Sequence, residues 1–423
     1  MTVMRTIRTA LAVTSLVFAG HAAAAPSAQE VVGHYADLAE AMYSDSLTTA
    51  KTLEEAIDAL LAKPSKETLD SAKEAWLAAR VPYQQTEAYR FGNAIVDDWE
   101  GRVNAWPLDE GLIDYVDGSY GSESDENSLY TANVIASSEL MINGEQVDAT
   151  EITPEFIGGS LHEAGGIEAN VASGYHAIEF LLWGQDLNGT GPGAGNRPHT
   201  DYDLDNCTGD NCERRRAYLK AASELLVTDL EEMVANWGPD GEARKELMDD
   251  PQRGLSVILT GMGSLSYGEL AGERMKLGLL LADPEEEHDC FSDNTHNSHL
   301  YDAMGVRNVY LGEYKRADGA SVTGPSISEL VAAKDPGVDT ELKTKLDATI
   351  SKMQAMAERA ETVEAYDQMI GEGNEEGNAV VQAAIDGLID QTRSIERAVA
   401  TLELETLEIE GSDSLDNPNA VFQ

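Results

Sequence analysis

The segment Ser173–Asp186 contains the residues whose types and spacing are best suited to chemistry. His176 and Glu179 are three residues apart in a run that is otherwise largely apolar. On a helix, positions i and i+3 lie on one face, so the imidazole and the carboxylate could bind one ligand. A buried carboxylate needs a cation, a hydrogen-bond donor or a metal, because burying it unpaired is unfavourable. Gly174 precedes the pair and lets another group approach closely. The spacing equally allows a core histidine that is hydrogen-bonded to Glu179.

Two further carboxylates, Glu87 and Asp109, are candidate ligands outside this segment. Glu87 lies one turn after Tyr83 in a predicted helix, where it could bind a ligand or pair with Arg90. Asp109 follows Pro107 in a compact turn that could present its carboxylate. An ordinary salt bridge and an ordinary turn would explain the same two patterns.

Residues 285–299 have the composition of a metal site. Three histidines and a cysteine, His288, Cys290, His296 and His299, fall within a short stretch rich in carboxylates. Their spacing matches no standard zinc pattern, and the segment is predicted to be a loop. We expect at least one of its residues to face a functional cleft.

The charge of the chain restricts the partners that it could bind. It contains 29 Lys and Arg against 76 Asp and Glu, a formal net charge of −47 at pH 7. This charge argues against nucleic acid and anionic lipid as partners. It is compatible with attraction of cations, and also with an acidic surface suited to a salty environment.

Residues 1–24 have the features of a signal peptide. Arg5 and Arg8 precede a short apolar core, and Ala22–Ala24 form a small-residue cleavage site. The sequence therefore predicts export to the periplasm or cell envelope. No later apolar run approaches the roughly 20 residues that a membrane span requires, so we expect no transmembrane segment.

The cysteine pattern fits an exported protein. Cys207 and Cys212 enclose four residues, and an oxidising compartment is compatible with a small disulfide-closed loop between them. Cys290 would then be a buried residue, a free thiol or a ligand. Pairings that involve Cys290 remain open at this point.

Apolar periodicity predicts an all-α fold. Helical spacing covers residues 28–62, 213–236 and 255–282 and two further segments near the C-terminus, whereas alternating strand patterns are almost absent. Pro and Gly between Trp237 and Gly254 mark a domain boundary. We therefore expect two helical-bundle domains with long irregular loops, residues 25–240 and 241–423.

Several motifs in order resemble one known family. Gly174-Tyr-His176-Ala-Ile-Glu179 matches the G-x-H-x-x-E motif of the imelysin family, and the chain resembles its iron-regulated protein A-like branch. Further matching pieces extend over nearly the whole mature chain; they are Arg80–Gly92, Trp106–Asp109, Cys-x4-Cys with Arg214-Arg215, Gly272–Met275 and Cys290–His296.

This resemblance implies an all-helical protein of two bundle-like domains with a pocket near their interface. The residues that we expect around the motif in this pocket are Gly174, Arg80, Arg90, Trp106, Arg274, Asp293 and His296. It also implies an envelope role in iron acquisition. The family has a peptidase label, and related domains occur in periplasmic components of ferrous-iron uptake systems.

The favoured hypothesis is a metal-binding protein. His176 and Glu179 would bind the metal, with Glu87 and Asp109 as further ligands. Oxygen-rich ligation with one imidazole suits iron better than structural zinc, so we expect iron, with zinc as the alternative. The expected partners are a metal ion or an iron chelate, together with envelope iron-uptake proteins.

Two other hypotheses remain. In a zinc-dependent metallopeptidase the same residues would hold the metal, but a catalytic zinc usually has three protein ligands, and only His176 and Glu179 are recognisable. In a non-metal interaction module, the two residues would form a structural pair with Arg80 or Arg90. We favour binding over catalysis.

Overall fold

A computed structural model describes residues 25–405 and 407–422 of the chain. Its α-helices are α1 (Ala28–Ala62), α2 (Lys66–Gln84), α3 (Ala94–Asn104), α4 (Glu110–Ile113), α5 (Pro154–Phe156), α6 (Gly174–Trp183), α7 (Cys212–Trp237), α8 (Glu242–Asp249), α9 (Pro251–Ser264), α10 (Leu277–Leu281), α11 (Thr295–Leu311), α12 (Ile327–Lys334), α13 (Pro336–Thr362), α14 (Tyr366–Ile370), α15 (Glu375–Thr401) and α16 (Asp413–Asp416). A π-helical segment, Leu265–Lys276, joins α9 to α10. The predicted all-α fold is confirmed, whereas the predicted signal peptide, residues 1–24, lies outside the described residues.

Two short antiparallel hairpins interrupt the helices. Strand β1 (Glu139–Ile142) pairs with β2 (Glu145–Asp148), and Leu140 lies opposite Val147. Strand β3 (Glu313–Lys315) pairs with β4 (Ser321–Thr323). Each hairpin is too small to form a core of its own, so both depend on the surrounding helices for stability.

Helix α1 begins and ends where its sequence dictates. Ser27 accepts a hydrogen bond from the backbone of Glu30, and the Glu30 carboxylate accepts one from the backbone of Ser27, which forms a capping box. Pro64 follows the helix, and Ser65 caps α2 in the same way. The apolar face of α1 packs against α2 and α7, as its periodicity predicts.

Helix α6 lies at the centre of the first half. Every residue from Gly174 to Trp183 is buried, which explains why the residues other than His176 and Glu179 are apolar or uncharged all round the helix. The indole N–H of Trp76 on α2 donates to the carbonyl of Tyr175 across 3.0 Å. This contact fixes α6 against α2.

Helix α11 connects the two halves of the chain. It packs against α2 in the first half and against α13 in the second. The irregular residues 287–294, which immediately precede α11, are therefore held between elements from both halves.

The structure has helices where the domain boundary is predicted. Helix α8 and the start of α9 lie within residues 237–254, and buried apolar side chains from both sides form one continuous core. The division near residue 240 stays a prediction.

The loop between α6 and α7 is closed by a disulfide. Cys207 is bonded to Cys212 with a Cα–Cα distance of 5.9 Å, and Cys290 is a half-buried free thiol. Within the described residues, no helix combines the length and apolarity needed to cross a bilayer.

Candidate metal centre

Gly174 determines how α6 enters the core. Its φ is +79°, and a Cβ atom built there would lie 2.4 Å from the carbonyl oxygen of Val103. Only glycine adopts this conformation without strain while allowing so close an approach. Gly174 therefore positions His176 and Glu179 by letting α6 lie against the end of α3.

His176 and Glu179 contact each other directly. Nδ1 of His176 lies 3.0 Å from Oε2 of Glu179, and both side chains are almost fully buried. The other carboxylate oxygen, Oε1, accepts hydrogen bonds from the backbone N–H and the hydroxyl of Ser292 at 2.9 and 2.7 Å. Nε2 of His176 has no hydrogen-bond partner within residues 25–405 and 407–422.

The segment before α11 brings two more side chains that could bind a metal close to His176. The imidazole rings of His176 and His288 are 4.7 Å apart, and Nδ1 of His288 lies 3.4 Å from Oδ1 of Asp289. Among the described residues, His176, His288 and Asp289 form the one group of three whose ligand atoms all lie within 4.8 Å of each other. We call these three residues the His–His–Asp cluster.

The carboxylate of Asp289 is held from both sides. Oδ2 accepts hydrogen bonds from the side chains of Asn294, at 2.8 Å, and Ser298. Oδ1 accepts one from Nη2 of Arg80 at 2.9 Å, and the same Nη2 lies 3.3 Å from Nδ1 of His288. Arg80 is thus the cation that the cluster contacts in this structure.

The protonation states favour metal ligation. Burial, assisted by Arg80, lowers the pKa of His176 to about 3, and burial together with Arg274 holds the pKa of His288 well below its usual range. Both imidazoles are therefore neutral at neutral pH, which is the form that binds metals. Although burial opposes it, the Arg80 guanidinium keeps the pKa of Asp289 well below its usual range.

The cluster fits a transition-metal ion. Two neutral imidazoles and one carboxylate are the donor set of many iron and catalytic zinc sites. Nε2 of His176 is buried, has no hydrogen-bond partner among the described residues and could serve as a metal ligand. Glu179 holds the same ring in place through its contact with Nδ1. Arg80, together with the charge of Arg274, opposes a metal here, because a guanidinium and a metal ion repel each other.

One predicted metal ligand, Glu87, and two predicted pocket residues, Arg90 and Arg274, belong to a separate ion-pair network. Glu87 pairs with Arg274 at 2.7 Å, and Arg274 also contacts Glu269 at 2.7 Å and Asp302 at 3.2 Å. Arg90 joins this network through Glu269 at 3.4 Å. The carboxylate of Glu87 is thereby neutralised by arginine.

Asp109 and Trp106 lie on the wall of a cavity of about 480 Å³ beside the cluster. Asp109 accepts a hydrogen bond from Asn127, and the ring of Trp106 lies 5.8 Å from that of His288. The same wall contains Glu110, Asp186, Glu285 and Cys290. We call this space the entrance cavity; it is acidic, and one of its wall residues, Trp106, lies against His288.

Asp293 and His296 lie near the cluster in sequence but outside it in space, in so far as the described residues show. Asp293 is partly buried, whereas His296 is buried and lies on the first turn of α11. The prediction of a loop through residue 299 is wrong from Thr295 onward, because α11 begins there.

The sequence did not single out His288 and Asp289 as candidate ligands, nor Ser292 as the donor to Glu179. The signal that could have found them was the metal-site composition of residues 285–299. That composition did not indicate which side chains face His176, because the helices on either side determine how this irregular segment is placed.

The fold and the cluster define an all-helical protein with a buried candidate metal centre. Residues 39–395 match the family model for imelysin, and the chain belongs to the imelysin family. Iron-regulated protein A of Synechococcus elongatus is 30% identical over 81 residues, which are 19% of this chain and 23% of that protein.

Two solved structures have the same overall fold. One is described as an iron-regulated protein A precursor from Parabacteroides distasonis; it has a TM-score of 0.64 and 19% identity, with 90% of this chain and 97% of that chain covered. The other is an imelysin-like protein from Psychrobacter arcticum; it has a TM-score of 0.56 and 16% identity, with 90% and 98% covered.

Proposed function

We propose that this imelysin-family protein is exported and binds ferrous iron through His176, His288 and Asp289 as part of iron acquisition at the cell envelope. The observation that supports this most strongly is the buried convergence of two neutral imidazoles and a carboxylate, whose ligand atoms all lie within 4.8 Å of one another. Iron is the first metal to test, because two of the similar proteins are named iron-regulated protein A.

The donor set favours iron. Two histidines and one carboxylate with open positions are typical of non-haem ferrous sites. Softer thiolate ligands do not take part, since Cys207 and Cys212 are joined in a disulfide and Cys290 lies on the entrance-cavity wall. Zinc remains the alternative metal, because it accepts the same ligands.

The buried charges also favour a cation. Glu179 and Asp289 are two carboxylates in the core, and both interact with the single guanidinium of Arg80. Burial, together with the charge of Asp289, raises the pKa of Glu179 well above its usual range. A divalent ion would neutralise this negative charge, which is otherwise costly to bury.

In this proposal Glu179 orients a ligand. Metal-bound histidines usually donate their second ring N–H to a carboxylate, which fixes the ring and its tautomer. Glu179 is held by two hydrogen bonds from Ser292 and is placed to accept from Nδ1 of His176. This arrangement leaves Nε2 for the metal.

The acidic entrance cavity would attract a cation close to the cluster. Its wall contains the carboxylates of Asp109, Glu110, Asp186 and Glu285, and the ring of its wall residue Trp106 lies 5.8 Å from that of His288. Negative potential in a cleft raises the local concentration of cations. The cavity is also large enough for a small iron chelate.

Anaerobic titration of metal-free protein with Fe(II) and Zn(II) tests the proposal. Wild type should bind about one Fe(II) tightly, and His176→Ala and His288→Ala should lose that binding. His199→Ala is the matched control, because His199 is outside the cluster and should leave affinity unchanged. Absence of Fe(II) binding by folded wild type would refute the proposal.

A zinc metallopeptidase is the second candidate, because two histidines and a carboxylate also form catalytic zinc sites. Zinc-loaded protein would then hydrolyse an unfolded substrate such as casein, and His176→Ala would abolish hydrolysis. If iron binds and hydrolysis is absent, binding is the function. If neither metal binds and Glu179→Ala only destabilises the fold, His176 and Glu179 form a structural pair.

A further inference from the structure

A second group of carboxylates begins next to the segment that contains His288 and Asp289, because Glu287 immediately precedes His288. Glu287 is 1% exposed and Asp367, on α14, is 2% exposed. Neither carboxylate has a hydrogen-bond partner for either oxygen in the part of the chain that the structure describes. The hydroxyl of Thr295 is near Glu287 without reaching hydrogen-bond geometry.

Both carboxylates line one small cavity. Its volume is about 10 Å³, which is the space of roughly one water molecule or ion. The described residues around it include five carboxylates and neither lysine nor arginine; the five are Glu110, Asp186, Glu285, Glu287 and Asp367. Four unused oxygens therefore border a space of ionic size that contains no basic side chain.

We propose that Glu287 and Asp367, assisted by Asp186, bind a second cation, and that this cation is a hard divalent ion of the Ca²⁺ type. This site is distinct from the His–His–Asp cluster and does not rest on the proposed iron function. It uses only oxygen donors, whereas the cluster contributes two imidazoles.

The carboxylates repel one another without a cation. Burial and the charge of Asp186 raise the pKa of Asp367 to about 6, and burial and the charge of Asp367 raise the pKa of Asp293 to about 7. Within the described chain, no three of these carboxylates approach as closely as the 4.8 Å of the His–His–Asp cluster. Separation of this kind is expected for like charges.

The chemistry selects Ca²⁺ over Mg²⁺ and over transition metals. Ca²⁺ accepts six to eight oxygen ligands at about 2.3–2.6 Å in flexible geometry, including waters and backbone carbonyls. Mg²⁺ requires a nearly ideal octahedron and retains its waters, so it suits a loosely arranged set of carboxylates less well. A binding constant in the range of extracellular calcium modules, about 0.1–1 mM, is expected.

A bound Ca²⁺ would connect α14 to the segment before α11. Glu287 directly precedes His288 and Asp289 in the chain, while Asp367 belongs to the second half. The ion would therefore stabilise the segment from which two of the cluster residues project.

Thermal unfolding of the EDTA-treated full chain, titrated with CaCl₂ to about 5 mM at constant ionic strength, tests this proposal. Wild type should show a saturable rise in Tm with Ca²⁺ and a smaller one with Mg²⁺. Asp367→Asn should lose the calcium response while remaining folded, since it removes an unpaired buried charge. Isothermal titration calorimetry should show the same loss of Ca²⁺ binding.

Two controls separate this site from other effects. Asp98→Asn removes an exposed carboxylate and should respond to Ca²⁺ like wild type. The double variant His176→Ala/His288→Ala should also retain the calcium response, whatever becomes of iron binding. The proposal is overturned if wild type shows no saturable response, if Asp367→Asn responds like wild type, or if the double variant loses the response.

Discussion

Arg80 and Asp289 form a buried ion pair at the candidate metal centre: Nη2 of Arg80 donates to Oδ1 of Asp289 across 2.9 Å, and neither side chain is more than 1% exposed. Since the same Nη2 also approaches Nδ1 of His288, one guanidinium contacts two of the three cluster residues. A metal ion must therefore compete with Arg80 for Asp289 and His288.

Arg80→Met should increase the affinity for divalent metal by about tenfold or more, because it removes a positive charge that repels the ion. It should destabilise the metal-free protein by about 3–5 kcal/mol, because Asp289 loses its partner. Urea unfolding with and without metal measures both effects, and metal should restore most of the lost stability.

Arg80→Lys is the control; it keeps the positive charge and should bind metal about as wild type does. Weaker metal binding by Arg80→Met than by wild type would contradict this role for Arg80.

Glu179→Gln tests the orienting role of Glu179. Because an outer carboxylate fixes a ligating histidine, its loss should weaken metal binding about 10–100-fold without abolishing it. His176→Ala, in contrast, should remove binding. Calorimetric titrations of the two variants in parallel measure the difference. Equal and complete loss in both would instead make Glu179 a direct ligand.

Gly174→Ala should destabilise the protein by about 3 kcal/mol or more, because it adds a Cβ against the Val103 carbonyl at a positive φ. Gly373→Ala is the matched control, since Gly373 has φ +82° and no heavy atom within 4 Å of its built Cβ. Gly373→Ala should lower the free energy of unfolding by only about 1 kcal/mol. Urea unfolding of the two variants measures both losses, and similar losses in stability would show that crowding at Gly174 is unimportant.

Stability should fall as the pH rises from about 6.5 to 8. Burial, with neighbouring carboxylates, raises the pKa of Glu100, Glu110 and Asp293 to about 7, whereas unfolded carboxyls titrate near about 4. The folded state then holds more protons than the unfolded state in this window, so raising the pH favours unfolding. Buried histidines with lowered pKa values have the opposite effect on stability, because the unfolded state then binds more protons, but this effect is confined to pH values below about 6.5.

The midpoint of urea unfolding of metal-free protein at pH 6.5 and at pH 8.0 measures this effect. Glu110→Gln mimics the neutral carboxyl and should reduce the difference between the two midpoints. A midpoint that is higher at pH 8.0 than at pH 6.5 would contradict the prediction, because it would show that these carboxylates do not lose stability when they ionise in the folded state.

The sequence predicted the long helices closely, because their apolar periodicity depends on local geometry. The prediction of α1 over residues 28–62 is confirmed, and α7 extends one residue beyond its predicted range at each end. The start of α11 was missed, since polar residues surround His296 and His299 and conceal the periodicity.

The candidate site was predictable only in part, for a physical reason. His176 and Glu179 share one turn of a helix, so their proximity follows from spacing alone. His288 and Asp289 reach the same point through the packing of α11 against α2, which is a contact between residues distant in sequence. Glu87 has suitable chemistry, but Arg274 neutralises it, and the sequence gives no indication of that partner.

Anomalous diffraction at the iron edge from crystals grown anaerobically with Fe(II) would show directly whether the His–His–Asp cluster binds iron. We expect one strong peak within about 2.0–2.3 Å of side-chain atoms of His176, His288 and Asp289. The Arg80 guanidinium should be displaced from Asp289 in the same map. An iron peak in the entrance cavity alone, or at the Glu87–Arg274 network, would contradict this expectation.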